Sequence, residues 1–166
     1  FAGTKPVSTV LRELVMDRND NEKRLKSLCH HQLFGVLATD GGDGPYTSLV
    51  AFAAGRDLHR LFFLTSRSSR KFRNISLNPE VSLLIDNRSN LPADFAEATA
   101  VTAVGRALER RGNGRHAALK LFLARHPHLN SFASSPSCAL MEVVVSRYVL
   151  VSNFEEVAEF AINGAG

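Results

Sequence analysis

The residues best suited to chemistry stand together in the run Leu64-Thr65-Ser66-Arg67-Ser68-Ser69-Arg70-Lys71. The apolar stretch Leu61 to Thr65 predicts a strand, and Ser68 to Leu77 predicts a short helix that Asn78-Pro79 ends. Ser68 or Ser69 can cap that helix, while Phe72 and Ile75 give it an inward face. Arg70, Lys71 and Arg73 then fall in its first turn, where the helix dipole is already positive. Three cations there repel the helix end and one another. A bound anion removes the conflict, because free backbone N–H groups, serine hydroxyls and two side-chain cations can converge on one phosphate. The competing reading is a solvated basic helix start on an exposed loop.

Other reactive residue types carry weaker patterns. His30-His31 and His126-Pro127-His128 are too few and too far apart in sequence for a metal motif, and helix-end or surface roles suit them better. Cys29 reads as a small buried hydrophobe and Gly41 to Gly44 as a hairpin turn, since GGDGP lacks the Lys-Ser/Thr of a phosphate loop. Arg88 can either approach a ligand or close a loop salt bridge. Glu155, Glu156 and Glu159 read as a solvated helix face. There is no CxxC pair and no Ser-His-Asp signature.

The elements that must position these residues are mostly strands. A helix is expected from Asp20, with Leu25, Leu28 and Cys29 inward after a lead-in over residues 1–19. Strands are expected over Phe34 to Thr39, Tyr46 to Ala53, Leu61 to Thr65, Val81 to Asp86, Val101 to Glu109 and Ala139 to Val151. Short connections join the first three as an antiparallel meander. Asn87 to Ala98 reads as a loop, Gly105 as a bulge and Arg115 to Arg125 as an amphipathic helix. Without βαβ alternation, this order predicts a mainly β (α+β) domain, an antiparallel six-stranded barrel with peripheral short helices. A single domain over 1–166 is expected, with a C-terminal tail over 153–166.

Composition narrows the class. The chain has 166 residues, 45% hydrophobic and 22% charged, with a formal net charge of +4. At this length one core suffices without disulfides, and two cysteines make no scaffold. No apolar run approaches the roughly 20 residues of a membrane-spanning helix. The positive charge is concentrated: Arg56, Arg60, Arg67, Arg70, Lys71 and Arg73 face the single acid Asp57. Such a segment suits a phosphorylated small molecule or nucleic acid.

In order and spacing, Leu64-Thr65, Ser69-Arg70-Lys71, Asn78-Pro79 and Val81-Ser82-Leu83-Leu84 resemble the pyridoxamine 5′-phosphate oxidase-like split barrels. Gly44-Pro45-Tyr46 and Ser48-Leu49-Val50 resemble the strand of that family that lies along the flavin. The resemblance covers Gly35 to Leu108 and implies a six-stranded split β-barrel that binds FMN. It implies that Arg70 and Lys71 hold the FMN phosphate, next to the Ser69 helix start. Thr65 and Ser66, following Leu64, would lie near the ribityl chain or phosphate. The backbone of Ser48, Leu49 and Val50 would face the isoalloxazine ring. It further implies a cytoplasmic homodimer with flavin between subunits and an oxidoreductase acting on a small molecule. The alternative is a non-catalytic protein that binds or senses flavin or haem, and nucleic acid is the weaker partner. Departures argue against the oxidase itself: Ser48 and Ala53 stand where it has an Arg and a Lys, and Ala100 where it has a glutamine. Its C-terminal substrate segment has no counterpart, and the chain has no Trp.

Overall fold

The structure, a computed structural model, describes residues 7–153 and 156–162, with side chains from residue 18 onward. Seven strands form one antiparallel sheet: β1 (Phe34–Asp40), β2 (Pro45–Ala54), β3 (Arg60–Ser66), β4 (Glu80–Asp86), β5 (Ala100–Glu109), β6 (Cys138–Ser152) and β7 (Glu156–Ala161). Their order is β3-β2-β1-β4-β5-β6-β7, and β3 also pairs with β6. That extra pairing closes the first six into the expected barrel and leaves β7 outside it. Alternation along each strand makes the core: Leu37, Val50, Phe52, Leu61, Phe63, Leu83, Ile85, Val101, Met141 and Tyr148 all point inward. Gly105 is a bulge, because the register with β6 shifts between Val104 and Gly105. A Cβ at Gly105 would lie 2.2 Å from the Val144 carbonyl oxygen, so only glycine lets the two backbones approach this closely.

The helices cap and buttress the barrel. Helix α1 (Val7–His31) buries Leu25, Leu28 and Cys29 in the core. The chain is helical from Val7 onward among the described residues, so residues 7–19 extend the helix instead of forming a loose lead-in. The polar run from Asp17 to Arg24 separates this stretch from Leu25, and it hides the continuity of the helix from a reading of apolar periodicity. Helix α2 (Arg70–Leu77) follows β3, and Phe72 and Ile75 pack on the core. A four-residue helix, α3 (Asp94–Glu97), interrupts the expected 87–98 loop. Its Asp94 carboxylate accepts hydrogens from the Ser89, Asn90 and Leu91 N–H groups. Helix α4 (Asn113–Arg125) lies outside the barrel, burying Ala118 and Phe122 against Ala53, Phe62 and Leu140. A short α5 (Asn130–Ala133) leads to β6.

At the C-terminus, the helix face expected at Glu156 and Glu159 is strand β7, paired with β6 from Arg147↔Ala161 to Ser152↔Glu156. Three closely spaced acids suggest a solvated helix, but Ala158, Phe160 and Ile162 recur at every second position and pack against the core, as a strand requires. Glu155 lies outside the described residues. Among the described residues no helix is long and apolar enough to cross a membrane.

Candidate functional site

The barrel is split between β2 and β3. Their pairing runs only from Ala54↔Leu61 to Phe52↔Phe63. Beyond it, β3 stays with β6 as far as Ser66↔Cys138, while β2 stays with β1 as far as Pro45↔Asp40. The strands therefore diverge, and the gap between them is bounded on one side by residues 45–51 and on the other by residues 64–66 and the start of α2. Residues from both walls meet across it: the Arg70 guanidinium lies over the Tyr46 ring, 4.6 Å from the centroid.

The α2 wall is built by its cap. Ser69 is the N-cap, its Oγ accepting from the Phe72 N–H at 3.2 Å and sharing a 2.8 Å hydrogen bond with Thr65 Oγ1. Thr65 is buried, so this serine–threonine pair fixes the helix start from inside. Ser66 and Ser68 hydroxyls pair at 2.8 Å, and Ser66 Oγ also accepts from the Ser68 N–H. The first intrahelical acceptor taken up here is the Ser69 carbonyl, bonded to the Arg73 N–H. The Arg70 and Lys71 N–H groups precede it and have no backbone acceptor. Farther along α2, the buried Asn74 donates from Nδ2 to Thr39 Oγ1 at 3.1 Å, tying the helix to β1. Asn74 Oδ1 lies where a Cβ on Gly41 would come within 2.6 Å, so the hairpin glycine makes room for this tie.

The β2 wall divides its three expected residues. Phe52 donates its N–H to the Leu33 carbonyl on the β1 side, and antiparallel strands alternate their bonding direction. Val50 and Ser48 therefore also bond towards β1, whereas Leu49 and Thr47 turn their N–H groups to the open edge. The Val50 side chain is in the core and the Leu49 side chain points outward at 68% exposure. Ser48 faces inward, and its buried Oγ has no hydrogen-bond partner. Ser152 Oγ and Arg125 Nε share that state among the described residues, and a buried polar atom without a partner is unusual in a folded chain.

Electrostatically, the segment from Arg56 to Arg73 separates into two groups. Arg60 pairs through Nε with buried Glu142 at 2.8 Å, and Arg67 pairs with Glu109. Arg70, Lys71 and Arg73 have no carboxylate partner among the described residues, and the first turn of α2 contains no acid. Among the described residues no ion pair is found for Arg24, Arg56 or Arg115 either, whereas five further arginines are paired: Arg88 with Asp86 at 3.1 Å, Arg106 with Glu80, Arg110 with Glu142 at 3.4 Å, Arg111 with Glu109 and Arg147 with Glu159 at 3.4 Å. Arg88 is thus a loop salt bridge.

The histidines form no centre. Among the described residues no three His, Cys, Asp or Glu side chains come together as a metal site. His126 is buried at the end of α4, packed on Phe122, with Nε2 bonded to the Phe52 carbonyl at 2.8 Å. Burial, then Arg125 and His31, hold His30 below the usual imidazole value. Cys29 is fully buried, and burial pushes its thiol up to about 12. The sequence places Tyr46 on the strand beside the split but shows neither its contact with Arg70 nor any role for Glu109, because both depend on partners in other elements.

A split six-stranded barrel with an anion-receptive helix start beside the split defines the class, and the sequence agrees. Residues 22–158 match the pyridoxamine 5′-phosphate oxidase family, and the chain belongs to it. No curated protein matches the chain by sequence. Among solved structures, a haem-binding protein from Mycobacterium smegmatis superimposes with a TM-score of 0.76 at 18% identity, over 85% of this chain and 57% of that one. This chain thus spans little more than half the length of the mycobacterial protein. The haem storage protein HutZ of Vibrio cholerae gives 0.65 at 20% identity, over 84% of this chain and 93% of that one. An FAD-binding protein from Mesorhizobium loti gives 0.62 at 14% identity, over 77% and 91%. These likenesses show a shared fold.

Proposed function

We propose that the chain binds FMN in the cleft between β2 and β3 and uses it in redox chemistry on a small molecule. The observation that carries this reading is the start of α2: two free N–H groups and the cations Arg70 and Lys71, none answered by a carboxylate. A phosphate monoester satisfies all of them at once. Ser66 can turn its hydroxyl to the same group or to the adjoining ribityl chain, while Thr65 and Ser69 act from behind by holding the cap. Tyr46 supports the Arg70 guanidinium on its ring face. On the opposite wall the Leu49 N–H and the unpaired Ser48 Oγ offer hydrogens to the polar edge of a flavin ring, whereas Val50 contributes only core packing. Donors aimed there favour negative charge on the reduced ring. Bound FMN would supply the hydride- or electron-accepting centre, so the chain needs no nucleophile of its own.

A homodimer belongs to the same reading. Across β2, β1, β4, β5 and β6 one outward row runs Leu49↔Val36↔Leu84↔Thr102↔Val149, and the next runs Thr47↔Ala38↔Ser82↔Val104↔Arg147. These side chains are largely small, β-branched or apolar, and those on the central strands β1, β4 and β5 are only half-buried. A shallow depression of about 310 Å³ over Ala38, Ser82 and Val104 indents this face. A second copy covers such a face most economically. A cytoplasmic setting would supply both flavin and reductant.

The purified chain should be yellow and release FMN on denaturation, and the stripped protein should rebind it. Failure of the apoprotein to bind added FMN would sink the reading. A non-catalytic role in binding flavin or haem is the second reading, favoured by the haem-binding and haem storage proteins that share this fold. Reduction of bound flavin by NADH or NADPH, followed by reoxidation with candidate acceptors, separates the two.

A further inference from the structure

The turn that presents the phosphate-binding groups is held from outside by a second set of contacts. Arg67 lies in that turn, between Ser66 and the Ser69 cap. Its N–H donates to the Ser137 carbonyl at 2.9 Å, and its Nη1 donates to the Pro136 carbonyl at 2.6 Å. Its Nη2 meets the Glu109 carboxylate at the end of β5, and the other oxygen of Glu109 takes Arg111. The Glu109 side chain is only 11% exposed, although both arginines reach solvent. Three segments distant in sequence are thereby pinned together at one end of the barrel. They are the β3–α2 turn, the end of β5 and the approach to β6.

We propose that Glu109 is a positioning residue for the cofactor phosphate, acting through Arg67 to hold the turn so that Ser66, Arg70 and Lys71 converge. The inference rests on the FMN reading. It also accounts for a charge that would otherwise disturb the site. Arg67 is a further cation, three residues before Arg70 in sequence. Pairing it with Glu109 and the Pro136 carbonyl turns its guanidinium away along the outside of the barrel. Arg111 takes the second carboxylate oxygen and orients the first towards Arg67. A short polar turn with no apolar anchor of its own relies on such contacts for a single conformation. Without Glu109 the Arg67 side chain regains its rotamers, and the donors that face the phosphate lose their common geometry.

The test compares FMN with riboflavin, which lacks the phosphate, by flavin-fluorescence titration of wild-type apoprotein and variants. Glu109→Gln should weaken FMN about five- to tenfold, the loss expected for one charge-assisted contact acting indirectly. Riboflavin affinity should stay unchanged. In an Arg67→Ala background, which keeps the backbone bond to Ser137 and leaves the core untouched, Glu109→Gln should have no further effect on FMN. Equal weakening of FMN and riboflavin would overturn the proposal by showing a general structural role. A full Glu109→Gln effect persisting without Arg67 would overturn it as well. If Arg70→Ala combined with Lys71→Ala leaves the FMN-to-riboflavin ratio unchanged, the phosphate lies elsewhere and the underlying reading fails first.

Discussion

Replacing Arg70 and Lys71 by alanine should separate affinity from stability, and the two changes should not run together. Each side chain offers the phosphate a charge-assisted hydrogen bond worth about 1.5–3 kcal/mol. Arg70 is exposed, so the lower end applies, which is roughly tenfold in affinity per residue. The double variant should therefore bind FMN about a hundredfold more weakly while holding riboflavin as before. Stability should behave differently. Each cation in the first turn of α2 opposes the helix dipole at a cost of about 0.3–1 kcal/mol. Against that relief stands the stacking of Arg70 on Tyr46, worth about 0.5–1 kcal/mol at an exposed site. The two nearly offset, and the apoprotein should melt at or slightly above the wild-type temperature. Fluorescence titration with both flavins and a thermal melt of the apoproteins provide the comparison. Equal loss for both flavins, or weaker FMN binding that merely follows a lower melting temperature, would refute the idea that these cations serve a ligand.

Three further outcomes follow from the packing. Tyr148, fully buried, donates its hydroxyl to the Leu58 carbonyl at 2.6 Å, in a turn where Leu58 holds a φ of 60°. Tyr148→Phe orphans that carbonyl and should cost about 1–3 kcal/mol in denaturant unfolding, so an unchanged midpoint would contradict this role. Cys29, with its thiol at about 12, should resist alkylation at pH 8 in the folded chain and react once urea unfolds it. Rapid native-state labelling would place it elsewhere. The Arg111 hydrogen bond outweighs burial and, with Arg67, holds the Glu109 carboxyl below its ordinary value of 4.5. A carboxyl depressed on folding stabilises the chain above that value and loses the contribution as pH falls through the lower folded one. Glu109→Gln should thus lower stability near pH 7, with the difference vanishing in acid. A constant difference across the titration would exclude the linkage.

The fold was legible where alternation was strong. The six barrel strands, the Gly105 bulge and the GGDGP hairpin follow from local pattern, because core faces, bulges and tight turns are local demands. The α2 start was legible for a related reason: cations at a helix N-terminus conflict with local electrostatics, and the conflict is visible without coordinates. The failures lie where a longer context or a neighbour decides. Residues 7–19 belong to α1, but the polar run from Asp17 to Arg24 parts them from the Leu25 face and obscures a single long helix. The acids of β7 obscured a strand that exists because β6 runs past the barrel and offers an edge. The basic run from Arg56 to Arg73 looked uniform, yet Arg60 and Arg67 answer Glu142 and Glu109, which lie far along the chain. Likewise Ser48, Leu49 and Val50 read as one backbone platform until the direction of bonding to β1 separated them.

Closed barrels are resistant to aggregation because closure leaves no strand edge to template another chain. This barrel keeps one open, along residues 45–51 of β2, where β3 turns away. That edge carries few charges, and Leu49 beside it is exposed. A ligand seated in the split does for this edge what a neighbouring strand does elsewhere. On the FMN reading, cofactor supply and solubility would be linked: the empty chain would be the more adhesive form, and bound flavin would shift the balance towards the closed one.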